Sequence, residues 1–220
     1  YMLFVLNADG VPSVAQFVQI LPLTSYQRPT AAILPPVADV TIPAGGNSFF
    51  GGFGIDAGGI SGYSWQFPGA TPSTASVSTP GNIVYPSPGI YVASLAVTNT
   101  AGLTSQVPAT RIVTVTDFSV AAGPATQNVM PGGSASYGVG ITPLLGFTGT
   151  VTFSVTGLPT GATASFVPAS VTTNGATFLN IVTTAAAPFG SYPLTITATS
   201  GGISHTTSIT LVVGRCVDTI

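Results

Sequence analysis

Apolar and polar residues alternate along most of this chain, in short runs that end at glycine or proline. Alternation with a period of two places successive side chains on opposite faces of a strand, whereas an amphipathic helix needs apolar residues three and four positions apart. The sequence has no stretch with the helical spacing. The pattern therefore predicts an all-β protein whose strands are spaced as in a β-sandwich.

One pattern occurs three times: a tyrosine begins an alternating strand, which ends at a glycine turn and returns as a second strand. The tyrosines are Tyr1, Tyr91 and Tyr192, and their spacings of 90 and 101 residues match the length of one sandwich. The first copy lacks the strands that precede the other two, and an isolated hairpin is only marginally stable in water. The predicted organisation is a hairpin over 1–21, a Pro-rich linker over 22–36, sandwiches over 37–116 and 117–213, and a tail over 214–220.

The leading strand of the first hairpin is apolar on both faces. When the tyrosines are aligned, Met2, Phe4 and Leu6 occupy positions where the later copies carry small or polar residues, such as Ala96 and Thr197. A strand that is apolar on both faces is typically buried on both sides. Met2, Phe4 and Leu6 are therefore predicted to contact a neighbouring subunit, and the alternative is that they pack on a domain upstream.

A second apolar pair lies in the sequence NSFFGGFG. If Ser48 and Phe50 face the core, Phe49 faces outward and Phe53 lies at the following turn. Phe49 and Phe53 are predicted either to pack locally under a loop or to form part of a subunit interface.

Charged residues are scarce in this sequence. Lys and Arg together number 3 and Asp and Glu together number 5, which gives a net charge of −2 at pH 7. Nucleic-acid binding needs a cluster of basic side chains, so the composition excludes nucleic acid as a partner. The apolar runs are shorter than the roughly 18–20 residues of a membrane-spanning helix, so no membrane insertion is predicted. Because little charge keeps copies apart, the composition favours self-association.

Side chains that could carry catalysis are few. His205 is the only histidine and is predicted to be structural, because a Ser-His-Asp triad would need an aspartate to reach it. Cys216 is the only cysteine, so it is either a free thiol or a bridge to another chain. The spacing of His, Cys and Asp matches no metal site. The chain is therefore predicted not to be an enzyme and to hold no metal or cofactor.

Two residues leave alternatives open. Trp65, close to Tyr63, is predicted to be the central core residue of the first sandwich, and the alternative is a platform on which a sugar stacks. Asp117 lies between the two sandwiches, where it either caps the junction or binds a cation together with backbone carbonyls.

Residues 37–116 resemble a PKD domain, which is an Ig-like module. The resemblance rests on the strand YSWQF with Trp65, on the turn IDAGGISG and on the ending YPSPGIYVASLAVTNTAG. The acidic motif W-D-F-G-D-G of that family is WQFPGA here, and only Asp56 remains in the preceding turn, so no calcium role is carried over.

Two other segments resemble known modules. The run PGGSASYGVGITPLLGFTGTVTFSVTGLPTGATASFVPASV is similar to Ig-like repeats of large secreted and surface proteins of bacteria and archaea, which implies a spacer or adhesive stalk. The hairpin YMLFVLNADGVPSVAQFVQI resembles the end of the C-terminal Ig-like domain of galactose-oxidase-like proteins, which implies a β-propeller upstream in the gene product. The predicted fold class is then all-β, with tandem Ig-like β-sandwiches preceded by an extra N-terminal β-hairpin.

These observations predict a non-catalytic structural or adhesive protein that is secreted or lies at the cell surface. It would self-assemble into filaments by docking its N-terminal hairpin on a neighbouring subunit, or it would bind another surface protein. One alternative is a C-terminal spacer or anchor fragment of a secreted galactose-oxidase-like enzyme. Another is a carbohydrate-binding module with a polysaccharide as its partner.

Overall fold

The computed structural model describes residues 5–14 and 27–214, together with the backbone of two short strands at 2–3 and 16–17. All regular elements in this part of the chain are strands. In chain order they are β1 (Met2–Leu3), β2 (Gln16–Phe17), β3 (Thr30–Ile33), β4 (Val40–Pro43), β5 (Asn47–Phe50), β6 (Gly52–Ile55), β7 (Ile60–Gln66), β8 (Thr74–Ala75), β9 (Gly81–Val84), β10 (Gly89–Asn99), β11 (Ala109–Gly123), β12 (Thr126–Val129), β13 (Ser134–Leu144), β14 (Thr150–Thr156), β15 (Ala162–Val167), β16 (Ser170–Thr172), β17 (Ala176–Thr183), β18 (Gly190–Ser200) and β19 (Ile203–Val213).

The first sandwich packs two layers around an aromatic core. One layer is a sheet with the order β8-β7-β10-β11-β4, and the facing layer consists of two two-stranded sheets, β3 with β6 and β5 with β9. Trp65 is fully buried, its ring stacks on Phe67 at 5.3 Å between centroids, and Phe50 meets both rings edge-on. Trp65 is confirmed as a core residue, and its indole N–H donates to Val77 O at 2.9 Å.

The second sandwich has the sheets β15-β17-β13-β11 and β12-β19-β18-β14-β16. The residues buried at its centre are aliphatic apart from Tyr137, whose hydroxyl donates to Thr210 O at 2.7 Å, and partly buried aromatic rings such as Phe153 and Phe166 pack against them. The all-β sandwich class predicted from the alternation is therefore correct.

Each sandwich ends in a long antiparallel pair, β10 with β11 and β18 with β19, which we call its closing hairpin. The alternation that begins at Tyr91 and Tyr192 predicts a core face with Leu95 and Leu194 and an outer face with Val92. This is confirmed, because Leu95 and Leu194 are fully buried whereas Val92 is half exposed. Both pairs begin in the same way. Tyr91 Oη donates to Ser87 O at 3.1 Å and Tyr192 Oη donates to Pro188 O at 3.0 Å, so each ring locks the chain that enters the hairpin.

β11 belongs to both sandwiches. Its first half pairs with β10 and β4, and from Asp117 onward it pairs with β13 without an interruption. Thr116 and Asp117, where the partner strand changes, are both buried. Next to Asp117, Phe118 packs with Phe147 in an apolar cluster. Ala44 of the first sandwich contacts this cluster. The boundary predicted between 116 and 117 thus falls inside one continuous strand.

The linker predicted over 22–36 needs correction at residues 30–33. These residues form β3, which pairs with β6, and Ile33 is only 3% exposed. The sequence did not predict this strand because Pro29 and Pro35 flank it, and prolines so close together suggested a linker. Proline is nevertheless tolerated at the ends of an edge strand. Four residues are also too few for alternation to be evident.

Candidate functional site

The N-terminal hairpin exposes apolar side chains. Leu6 is 62% exposed, and Val5, Val11 and Val14 are exposed as well. The side chain of Met2 and the whole of Phe4 lie outside the described residues. Of the three hairpin residues predicted to form an interface, the structure therefore places only Leu6, and it places it at the surface.

Phe49 and Phe53 lie on the outward face of the first sandwich. Phe53 lies inside β6 and not at the turn where it was predicted. Only Gly51 separates β5 from β6, and Phe49, Phe53 and Ile55, at alternating positions, are 48%, 42% and 62% exposed. Leu34 belongs to the same surface, because its N–H donates to Gly51 O at 2.8 Å and its side chain is 51% exposed. We call these four residues the outer apolar patch.

Sequence reasoning missed Ile55 and Leu34 in this patch. Continuing the alternation of NSFFGGFGI by one step would have found Ile55. Leu34 was assigned to the linker, so its strand neighbour could not be foreseen.

Two glycines leave the inner face of β6 without side chains. A Cβ at Gly52 would lie 2.4 Å from Leu95 Cδ2, and one at Gly54 would lie 2.6 Å from Ile60 Cδ1. The core side chains of the opposite sheet therefore fill the space above the bare backbone. Phe53, which lies between these two glycines, points the other way.

Asp117 and His205 meet near the junction of the two sandwiches. His205 Nε2 and Asp117 Oδ1 are 2.7 Å apart, and the same oxygen accepts the N–H of Phe118 at 2.7 Å. The rings of Phe118 and His205 pack edge to face, with their centroids 4.9 Å apart. The sequence analysis did not predict this contact, because the two residues are 88 positions apart in the chain.

This pair has the geometry of a structural tether. It links β11 to β19 and satisfies a carboxylate that is almost fully buried, which supports the role of Asp117 as a cap of the junction. No hydroxyl or thiol among the described residues bonds to His205, so no nucleophile stands beside the pair there. The described residues also contain no group of three or more His, Cys, Asp or Glu that could hold a metal ion.

A polar network closes the opposite end of the first sandwich. The side-chain amide of Asn99 donates to Asp56 Oδ2 and to Gln27 O, each at 3.1 Å. Arg28 extends the network because its guanidinium donates to Thr104 O at 2.7 Å. The closing hairpin thereby holds the segment that enters the sandwich. Asp56 is the one acidic residue in the PKD-like turn. Its carboxylate accepts hydrogen bonds from the side chain of Asn99 and from the N–H of Gly58.

A groove lies beside the junction and is lined by residues of both sandwiches. It has a volume of ≈ 320 Å³, and its walls carry hydroxyl, backbone and apolar groups but no charged side chain. The lining residues are Thr41, Ile42, Pro43, Thr116, Gly146, Phe147, Thr148, Gly149, Ser200 and Gly201.

Two tyrosines have perturbed hydroxyls. Burial, together with the nearby Tyr91, raises the pKa of Tyr85 to about 12, and its Oη has no hydrogen-bond partner among the described residues. Burial also raises the pKa of Tyr137. Both effects disfavour the phenolate, so these groups belong to the core.

The part of the chain that the structure describes contains no helix long and apolar enough to span a membrane.

No protein family model matches this chain, and no curated protein matches it. The PKD and galactose-oxidase-like resemblances therefore stay predictions. Solved structures with a similar fold include fibronectin(III)-like modules of CbhA from Clostridium thermocellum, with 14% identity, 84% of this chain and 94% of that chain covered, and a TM-score of 0.32.

Two further structures are similar. Domains 4 and 5 of the S-layer protein SbsC match at 17% identity, with 84% of this chain and all (100%) of that chain covered and a TM-score of 0.33. The titin domains z1z2, solved in complex with telethonin, match at 18% identity over 86% of this chain and 97% of that chain, with a TM-score of 0.31. These values are too low to carry a statement about function, and the β-sandwich class rests on the strand order given above.

Proposed function

We propose that this chain is a non-catalytic structural module that works outside the cell and holds the segments at its two ends at a fixed separation. The observation that supports this most strongly is β11, which runs through both sandwiches without a break. Bending the junction would break ladder hydrogen bonds and expose the cluster around Phe118, so the pair behaves as one stiff rod.

The extracellular placement rests on the character of the surface. Only 4% of the residues are charged, and the strands are rich in neutral side chains. A surface with so little charge gives few contacts to nucleic acid and little repulsion between copies. This suits a spacer or an adhesive stalk.

Self-assembly is the second part of the proposal. Leu6 and the outer apolar patch are both exposed, and both lie apart from the core of the described sandwiches. Burying a large apolar side chain stabilises a contact by about 1.5–3 kcal/mol, so a few such residues can hold two copies together. A contact between the hairpin of one copy and the patch of the next does not close on itself, and it therefore builds filaments.

Two alternative functions were predicted from the sequence, and the structure bears on each of them differently. A spacer or anchor role in a longer secreted protein needs only the rod and remains the alternative to assembly. A carbohydrate-binding module loses its main platform, because Trp65 is fully buried.

Sedimentation velocity over a concentration series, with electron microscopy of the most concentrated sample, tests assembly. We expect concentration-dependent oligomers in the parent chain. The triple variant Met2→Thr, Phe4→Thr, Leu6→Thr and the double variant Phe49→Ser, Phe53→Ser should each remain monomeric.

Phe178→Ser is the matched control, because Phe178 is exposed on the second sandwich and belongs neither to the hairpin nor to the outer apolar patch. It should leave the oligomers unchanged. A parent chain that stays monomeric at every concentration would contradict assembly and leave the spacer role alone.

A further inference from the structure

The turn of the N-terminal hairpin is organised by Asn7. Its N–H donates to Val11 O at 3.1 Å, and its carbonyl accepts the N–H of Gly10 at 3.0 Å. Its side-chain Oδ1 accepts the N–H of Val11 at 2.9 Å. Gly10 has a φ of 76°, a left-handed conformation that favours glycine.

The closing hairpin of the first sandwich turns in the same way around Asn99. The Asn99 N–H donates to Leu103 O at 3.0 Å, and its carbonyl accepts the N–H of Gly102 at 3.0 Å. Its Oδ1 accepts the N–H of Leu103 at 2.9 Å. Gly102 has a φ of 79°.

A serine completes both turns. In the first hairpin Ser13 N donates to Val5 O at 2.8 Å, and Ser13 Oγ accepts the N–H of Val5 at 3.1 Å. In the first sandwich Ser105 N donates to Val97 O at 2.8 Å, and Ser105 Oγ accepts the N–H of Val97 at 3.2 Å. The two turns therefore share five hydrogen bonds with the same donors and acceptors.

The matching residues differ in number by 92, whereas the tyrosine alignment uses 90. The tyrosine alignment is therefore displaced by two residues at the turn. Because both offsets are even, the assignment of residues to faces is unchanged.

The surroundings of the two turns differ sharply. Asn99 is 1% exposed, and its amide donates to Asp56 Oδ2 and to Gln27 O. Asn7 is exposed, and its side-chain NH2 group donates to no described residue, since only its Oδ1 is bonded. Val5 is exposed where its equivalent, Val97, is fully buried. The first hairpin thus has the internal bonds of a closing hairpin without the sandwich that it would close.

We propose that Asn7 is a docking residue whose side-chain amide binds a carboxylate and a backbone carbonyl on a β-sandwich that lacks its own closing hairpin. That sandwich is formed by residues that precede Tyr1 in the full polypeptide. Val5 enters its core, as Val97 does in the first sandwich. The proposal does not depend on assembly, because Leu6 points to the opposite face of the strand.

A second copy of the described chain does not fit this role. Both of its sandwiches already carry a closing hairpin, so neither has a vacant position for another. The second sandwich also uses a different turn, in which Ser200 pairs directly with Ile203.

A turn graft in the full chain tests whether Asn7 has the right chemistry. Residues 97–105, VTNTAGLTS, are replaced by the sequence of residues 5–13, VLNADGVPS. We expect the first sandwich to fold, and we expect Asn99→Ala to lower its melting temperature equally in the graft and in the parent. A shift of about 4–8 °C is typical for a lost buried polar contact in a domain of this size. A graft in which Asn99→Ala has no effect would overturn the proposal.

Extension of the chain tests the partner itself. Asn7→Ala is compared in residues 1–220 and in a polypeptide that begins about 100 residues further upstream, the length of one sandwich. Asp9→Ala is the matched control, because its exposed carboxylate has no described partner.

We expect Asn7→Ala to leave the melting of residues 1–220 unchanged and to lower a transition of the extended chain by about 4–8 °C. Asp9→Ala should be neutral in both. An Asn7→Ala variant that is neutral in the extended chain would overturn the proposal. So would an effect that appears in residues 1–220 only at concentrations where the chain associates, since a second copy would then be the acceptor.

Discussion

At the scale of single residues, the polar side chains that matter are those that tie one segment to another. Asp117 accepts hydrogen bonds from Phe118 N and His205, and its removal would leave both donors without this acceptor at a buried site. We expect Asp117→Ala to lower the free energy of unfolding by about 1–3 kcal/mol.

A double-mutant cycle with His205→Ala, measured by urea unfolding, isolates the pair. A coupling energy of at least about 0.5 kcal/mol is expected for groups in direct contact. Additive effects of the two substitutions would show that the two side chains do not tether β11 to β19.

Tyr85 gives a residue-scale prediction of the opposite sign. Its buried Oη lacks a partner among the described residues, so Tyr85→Phe removes an unsatisfied polar group and should stabilise the fold by about 1 kcal/mol at neutral pH. A loss of stability measured by urea unfolding would mean that the hydroxyl has a partner.

The same substitution changes the dependence of stability on pH. Because the pKa of Tyr85 is raised from 10.0 to about 12, the unfolded chain ionises at a lower pH than the folded chain. Ionisation of Tyr85 therefore does not affect the stability of the fold below pH 10, and the fold loses stability as the pH rises from 10 towards 12. Unfolding curves at pH 8 and pH 11 should therefore differ less for Tyr85→Phe than for the parent.

The sequence predicted residues whose environment follows from local pattern. Leu95 and Leu194 could be placed in the core because each lies on an alternating strand, and Trp65 because it is the only tryptophan of a sandwich. The pairing of Asp117 with His205 could not be predicted, since it depends on how two distant strands come together and neither residue has a neighbouring motif.

At the scale of elements, β11 determines how the molecule is built. It is 15 residues long, well above the usual strand length, because each half has its own partners. Alternation through the boundary predicted strands on both sides of it. Only the register with β13 shows that they form one strand.

Proline at the shared position of β11 tests its importance. Thr116→Pro places a residue without an N–H in an interior strand, which is expected to cost about 3 kcal/mol or more. Because Thr116 lies where β11 passes from its pairing with β4 to its pairing with β13, the distortion should reach both sandwiches. Hydrogen exchange should then be faster in β4 and in β13. Faster exchange in only one sandwich would contradict the shared role of the strand.

At the scale of the whole molecule, three features point the same way. The two sandwiches share a strand, the described residues contain no group of three or more His, Cys, Asp or Glu that could hold a metal ion, and large apolar side chains are exposed on the hairpin and on the outer face of the first sandwich. These features are consistent with the proposed structural role. The sequence predicted two sandwiches and a hairpin strand that is apolar on both faces. The match between the turns of Asn7 and Asn99 became evident only from their hydrogen bonds.

The stiffness of the rod is the central claim, and backbone residual dipolar couplings measured in a weakly aligned sample test it most directly. Couplings from residues 37–116 and from residues 117–213 should fit one common alignment tensor. A variant with Gly-Ser inserted between Thr116 and Asp117 should need two tensors, since the insertion breaks the continuous strand. Two different tensors for the parent chain itself would show that the sandwiches move independently, and that result would contradict the proposed function.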